Sequence, residues 1–126
     1  MKRIYMRTIP DDRFPEGTAE YQANLLEWKE AIKQIIRRPQ DPQKGAEVEE
    51  IRKGIRVLDA VEKANPVLEL EDADYDHLKT KTQAMQWAFV DRRILTLVDD
   101  ILNAGEQVDL AAQLEQEQRN GVPASV

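Results

Sequence analysis

A mostly helical α+β fold is predicted by three features of the sequence: amphipathic stretches at helical spacing, two short alternating segments, and no internal repeat at a period of 20 to 50 residues. The chain has 126 residues, 41% hydrophobic and 33% charged, which fits one folded domain over 1–105 followed by a C-terminal tail over 106–126. About four helices and a small two-stranded β element are expected.

Residues 2–9 (KRIYMRTI) alternate and are rich in β-branched and aromatic side chains, which predicts a strand with Ile4, Met6 and Thr8 on one face. Pro10, Asp11-Asp12, Pro15 and Gly17 form a turn-rich loop, and Thr18 is an N-cap candidate with Glu20 in the first turn. Over 18–38, Tyr21, Leu25, Trp28, Ile32, Ile35 and Ile36 make one apolar stripe, predicting a single helix that stops before Pro39.

The connector 39–45 leads to a second helix over 46–64, with Val48, Ile51, Ile55, Leu58 and Val61 spaced by 3 or 4. The short connector predicts an antiparallel hairpin. Asn65-Pro66 ends it, and 67–71 (VLELE) reads as the second strand, paired with the first and resting on the helices. Asp72 caps a third helix to Met85 or Gln86, with Tyr75, Leu78, Thr82 and Met85 inward. Trp87, Ala88 and Phe89 form a bulky bend expected to be buried. Asp91 caps a fourth helix whose face is Ile94, Leu95, Leu97, Val98, Ile101 and Leu102, with Gly105 at the C′ position. The apolar stripes of these two later helices are wider than one partner demands, so an exposed apolar patch is expected there.

Composition narrows the function. No run approaches the ~18 uncharged apolar residues of a membrane span. With no Cys, there is no disulfide, thiolate metal site or thiol nucleophile. The basic opening lacks a following apolar stretch, so no secretory signal is expected. Residues 1–56 carry 12 Lys/Arg against 10 Asp/Glu and residues 57–126 carry 6 against 14, which concentrates the net charge of −6 in the second half. Such a surface repels phosphate and anionic lipid, so neither membrane nor nucleic acid is the expected partner.

Glu69, Glu71, Asp72, Asp74 and Asp76 are a candidate partner-binding set, including imitation of a nucleic-acid backbone. Asp72, Asp74 and Asp76 imitate the start of a calcium loop, but the sixth position holds His77 instead of Gly and the twelfth holds Gln83 instead of Glu. No metal or other cofactor is expected. His77 is the single His and lacks a readable orienting group, Ser125 is the single Ser, and Asp99 and Asp100 point about 100° apart on a helix. No catalytic residue is assigned, and the chain is read as a non-enzyme. Lys29, Lys33 and Arg37 repeat every four residues, joined by Arg38 and Lys44, and offer an alternative function as a nucleic-acid-associated regulator using the first hairpin.

The strings VLDAVEKAN, LELEDADYDHLK and DRRILTLVDDILNAG, within residues 57–105, resemble in style the small, Cys-free, acidic accessory proteins of tailed bacteriophages and related mobile elements. The resemblance implies an assembly chaperone, a virion adaptor or an inhibitor of a host protein, located in the host cytoplasm or the virion. The expected function is protein–protein interaction, with another protein or through self-association.

Beyond Gly105, Val108, Ala111 and Leu114 form a narrow apolar face among Gln and Glu, which reads as a marginal helix suited to docking in a groove. Truncation after Gly105 is expected to leave the unfolding temperature within a few degrees while weakening partner binding or self-association. A collapse of stability would show that the tail packs on its own domain.

Overall fold

The computed structural model describes residues 1–88 and 90–106, so the predicted tail face of Val108, Ala111 and Leu114 lies outside the described residues, as does Phe89. Within them the chain is mostly helical, with short antiparallel β pairs, in the order β1 (Lys2–Tyr5), β2 (Thr8–Ile9), α1 (Ala19–Ala23), β3 (Leu26–Glu27), α2 (Trp28–Arg37), α3 (Val48–Lys63), β4 (Val67–Leu70), α4 (Asp72–Ala84) and α5 (Arg92–Leu102).

The expected pairing of the first and second strands is present: β1 runs antiparallel to β4, with Ile4 opposite Leu68. The first strand is nevertheless split, because it changes partner. Met6 N–H still donates to the Pro66 carbonyl at 2.8 Å, whereas the Arg7 carbonyl accepts from Trp28 N–H at 2.9 Å and β2 pairs with β3. Two short ladders therefore replace one.

That switch also breaks the helix predicted over 18–38. Thr18 caps α1 as expected, its hydroxyl accepting from Tyr21 N–H at 3.1 Å. The helix then closes at Asn24, and the next residues go extended to reach β2. The cause lies far away in sequence: Arg93, in α5, donates to the carbonyls of Asn24 at 2.8 Å and Ile9 at 3.0 Å. A cation satisfying two carbonyls holds both extended segments together, and apolar periodicity, which continues across the break, carries no trace of it.

The core is a single cluster. Trp28, Ile32, Ile35 and Ile36 of α2 meet Val57 and Val61 of α3, Leu68 and Leu70 of β4, Tyr75 and Leu78 of α4, and Leu97 and Ile101 of α5. Trp28 is completely buried. The third helix turns Tyr75, Leu78 and Thr82 inward as predicted, with Met85 packed at the edge. Its cap is displaced: Glu71 holds the N-cap position without a side-chain bond, and Asp72 and Asp74 lie in the first turn, where they complement the helix dipole. Asp91 caps α5 as expected, accepting from Arg93 N–H at 2.9 Å.

Four expectations are overturned. Val48, Ile51 and Ile55 do not face the core but stand 65%, 50% and 51% exposed, because α3 turns Gly54, Val57 and Val61 inward instead. Leu95 is exposed on α5, so the buried face there is narrower than predicted. Gly105 is not a left-handed cap: α5 closes at Asn103, and Gly105 forms an isolated antiparallel bridge with Arg3, whose N–H donates to the Gly105 carbonyl at 2.8 Å. In the 87–89 bend, Trp87 is only partly buried against the core and Ala88 is exposed, both lying just past the end of α4.

Trp28→Ala is therefore expected to cost about 3 to 5 kcal/mol, whereas Ile55→Ala is expected to change stability by less than about 1 kcal/mol. Denaturant unfolding of both variants checks this, and a large loss for Ile55→Ala would contradict the outward orientation of that residue.

Candidate interaction surface

The outward face of α3 follows from local sterics. A Cβ built on Gly54 would stand 3.3 Å from Ile36 Cγ2, so α2 and α3 meet where α3 has no side chain. Close approach at a small residue buries Gly54, Val57 and Val61 on one side and leaves Val48, Ile51 and Ile55 on the other. Spacings of 3 and 4 align these three on one stripe.

Ion pairs along the edges of α3 hold this rotation. Glu62 pairs with Lys33 of α2, and Arg56 Nε lies 2.9 Å from Asp74 of α4. Near the start of the helix, Glu50 reaches Lys81, which is only 5% exposed. Lys81 Nζ donates to the Glu50 carboxylate and to the Ile36 carbonyl, both at 2.8 Å, and Glu50 also accepts from Gln40 N–H at 3.1 Å. Burial pushes the Glu50 carboxyl up, but the bonds from Lys81 and Gln40 outweigh it and hold the group below its ordinary range. One ammonium thus ties the end of α2, the start of α3 and the end of α4.

A second polar node lies at the other end of the core. Trp28 Nε1 donates to Asp100 Oδ2 at 2.9 Å, and Arg7, itself buried, lies 2.9 Å from the same carboxylate. Burial dominates there and raises the Asp100 carboxyl despite both partners. Asp99 is exposed while Asp100 points inward, so the two form no dyad. Beside Arg93, Asp11 is held down at about 2 by its bonds from Arg13.

Of the acidic candidates, Glu69, Glu71 and Asp74 line an open groove of about 480 Å³ between α3, β4 and the start of α4, together with Arg56 and Lys63, whereas Asp72 and Asp76 stand outside it. Much of their charge is matched: Glu69 pairs with Arg3 at 3.2 Å, Asp72 with the Met1 amino group at 3.2 Å, and Asp74 with Arg56. Glu71 and Asp76 are exposed. Among the described residues no three His, Asp or Glu side chains converge to hold a metal ion. His77 is partly buried, and burial with the nearby Lys81 charge lowers its pKa, so the ring is neutral at pH 7. The basic candidates do not form one patch. Lys33 is engaged by Glu30 and Glu62, Lys29 is half-buried, and Arg37, Arg38 and Lys44 are exposed at and beyond the end of α2.

Sequence reasoning missed the α3 stripe as a surface because Val48, Ile51, Ile55 and Leu58 make an apolar repeat that runs on into the buried Val61 and is richer in large side chains than Gly54, Val57 and Val61, which face the core. Gly54 was the available signal: glycine inside a helix is unfavourable unless close packing uses it. The exposed patch expected on the two later helices is not found there: among the described residues Leu95 is the one large apolar side chain exposed on them, and the exposed stripe lies on α3 instead.

Glu50→Gln is expected to destabilise the fold by about 2 to 4 kcal/mol, because it leaves the buried Lys81 ammonium without its counter-charge. Lys81→Met should cost less, since the apolar stem is replaced and Glu50 retains Gln40 N–H. With its pKa lowered in the folded state, Glu50 contributes stability above its ordinary value of 4.5 that disappears as pH falls through the folded value. Acid titration of stability should therefore be shallower in Glu50→Gln, and an unchanged acid limb would contradict the pairing. No described helix is long and apolar enough to cross a membrane, and comparison with protein families, curated proteins and solved structures gives no match.

Proposed function

We propose that the protein is a non-enzymatic interaction module that works through the outward face of α3. The observation that carries this reading is the exposure of Val48, Ile51 and Ile55 on a helix whose other side is packed tightly against Ile36. Large aliphatic side chains left half in water each forgo on the order of 1 kcal/mol of burial, and a contiguous stripe of them is the usual mark of a contact surface. The stripe belongs to a rigid helix anchored by three ion pairs, so it is presented without an ordering cost on binding.

As a phage-type accessory protein, the chain would use this face as an assembly chaperone, virion adaptor or host-protein inhibitor. The acidic set Glu69, Glu71, Asp72, Asp74 and Asp76, of which Glu69, Glu71 and Asp74 line the neighbouring groove, would add charge selectivity at the edge of such a contact, with the tail residues Val108, Ala111 and Leu114 as a further docking segment.

Ile51→Asp and Ile55→Asp are expected to fold with unfolding temperatures within a few degrees of the parent and to lose partner capture from host lysate. Capture should persist through 0.5 M salt, since an apolar contact responds weakly to ionic strength. Capture that survives both substitutions but disappears with salt or with Arg37→Glu and Arg38→Glu would overturn this reading in favour of nucleic-acid association.

A further inference from the structure

We infer that the free edge of β4 is a docking site for an extended peptide segment of another protein, added as a strand antiparallel to β4. The segment carries a basic residue at its N-terminal end and an acidic one four positions later. This surface is separate from the outward stripe of α3, and the inference does not rest on that reading.

The hydrogen-bond phase of the small sheet defines the edge. Arg3 N–H donates to the Gly105 carbonyl and so turns away from β4, whereas Met6 N–H donates to Pro66. Bonded pairs alternate along an antiparallel ladder, so Ile4 with Leu68 and Lys2 with Leu70 exchange the bonds. Val67 and Glu69 then direct their N–H and C=O groups away from β1. None of these main-chain groups meets a partner among the described residues. Unpaired donors and acceptors in a row are a template for a further strand, and only an extended segment matches their spacing.

Sheet edges are ordinarily covered by a neighbouring element or blunted by a charge, and this one is neither. Across from it α3 presents the small side chains Ala60 and Ala64, and the groove of about 480 Å³ lies between them and β4. The Glu69 carboxylate is drawn back across the sheet to Arg3, at 3.2 Å, and so leaves the edge clear. An added strand, about 4.8 Å from β4, lies inside the groove.

Charge at the two ends of the groove selects the sequence of the occupant. Arg56 and Asp74 are paired with each other, but the side chains of Glu71, Lys63 and Asp59 have no partner among the described residues. Glu71 stands where β4 passes into α4, and Lys63 where α3 leads into β4. From Val67 to Glu71 the chain extends about 13 Å, four residues of a facing strand. In antiparallel pairing the N-terminal end of that strand lies by Glu71, so a cation is matched there and an anion by Lys63. Asp59, on α3, adds a second unpaired acid and makes the cation the stronger requirement.

An NMR titration of the full chain with the acetylated, amidated pentapeptide Lys-Val-Thr-Val-Glu tests this. The amides of Val67 and Glu69 should exchange rapidly in the protein alone and at least tenfold more slowly at saturation. The same peptide N-methylated at Thr keeps every side chain but loses a central donor, and it should bind roughly tenfold more weakly. Glu69→Pro removes an N–H that the β1–β4 ladder does not use, so the fold should persist while affinity falls roughly three- to tenfold. Glu71→Lys should weaken the pentapeptide and strengthen Glu-Val-Thr-Val-Glu. Absence of binding, equal binding of the N-methylated peptide, or slow exchange at Glu69 in the protein alone overturns the inference. If Glu69→Pro does not fold, the N-methylated peptide with the parent protein decides.

Discussion

The contact of Gly54 with Ile36 fixes how α3 is turned about its own axis, and most of what the surface offers depends on that rotation. The helices are so close that a Cβ at position 54 would stand 3.3 Å from Ile36 Cγ2, tight enough that Ile36 would have to give by a few tenths of an ångström. The neighbours on that side, Val57 and Val61, are then buried by necessity. Glu62, Arg56 and Glu50 are carried to the edges, where Lys33, Asp74 and Lys81 wait on adjacent helices. Rolling α3 by one residue, about 100°, to bury Ile51 and Ile55 would withdraw all three charges from their partners and push larger side chains against Ile36. Steric and electrostatic preferences agree, so the exposed stripe is a consequence of a well-determined core rather than of loose packing.

Long-range polar contacts do a comparable job at the ends of the molecule. Arg93 stabilises the extended backbone at Asn24 and Ile9, and Asp100 joins α5 to Trp28 and Arg7. Each brings together segments separated by more than 60 residues. Buried charged groups of this kind add little net stability compared with apolar packing, but leaving one partner unsatisfied is costly, which penalises alternative arrangements. The lowered Asp11 and raised Asp100 carboxyls show the two sides of that balance: multiple donors win at Asp11, and burial wins at Asp100.

These contacts also explain what was legible in the sequence. The α+β class, the β1–β4 pairing, the inward face of α4 and the caps at Thr18 and Asp91 follow from local periodicity and capping chemistry, and all are present. The break between α1 and α2 depends on Arg93, and the split of the first strand on the competing demands of Pro66 and Trp28, and neither is written locally. Most instructive is α3, where two apolar stripes compete: the one richer in large side chains lies outside, and the one containing glycine lies inside. Size-weighted periodicity selects the wrong stripe, because the α2–α3 contact needs proximity more than bulk. Of the candidate sites, the positions of the acidic residues near the β4–α4 junction were readable, but their pairing with Arg3 and Arg56 was not, since those partners come from other elements.

The rotation of α3 can be measured directly, because the chain contains no Cys and any introduced thiol is unique. Ile55→Cys, Val57→Cys and Val61→Cys, labelled in dilute native solution with a thiol reagent, report which side of the helix meets water. The structure predicts that Ile55→Cys reacts at nearly the rate of the unfolded chain, while Val57→Cys and Val61→Cys react orders of magnitude more slowly, through opening of the fold. A protected thiol at position 55 together with a reactive one at 57 would place the other stripe in the core and contradict the account.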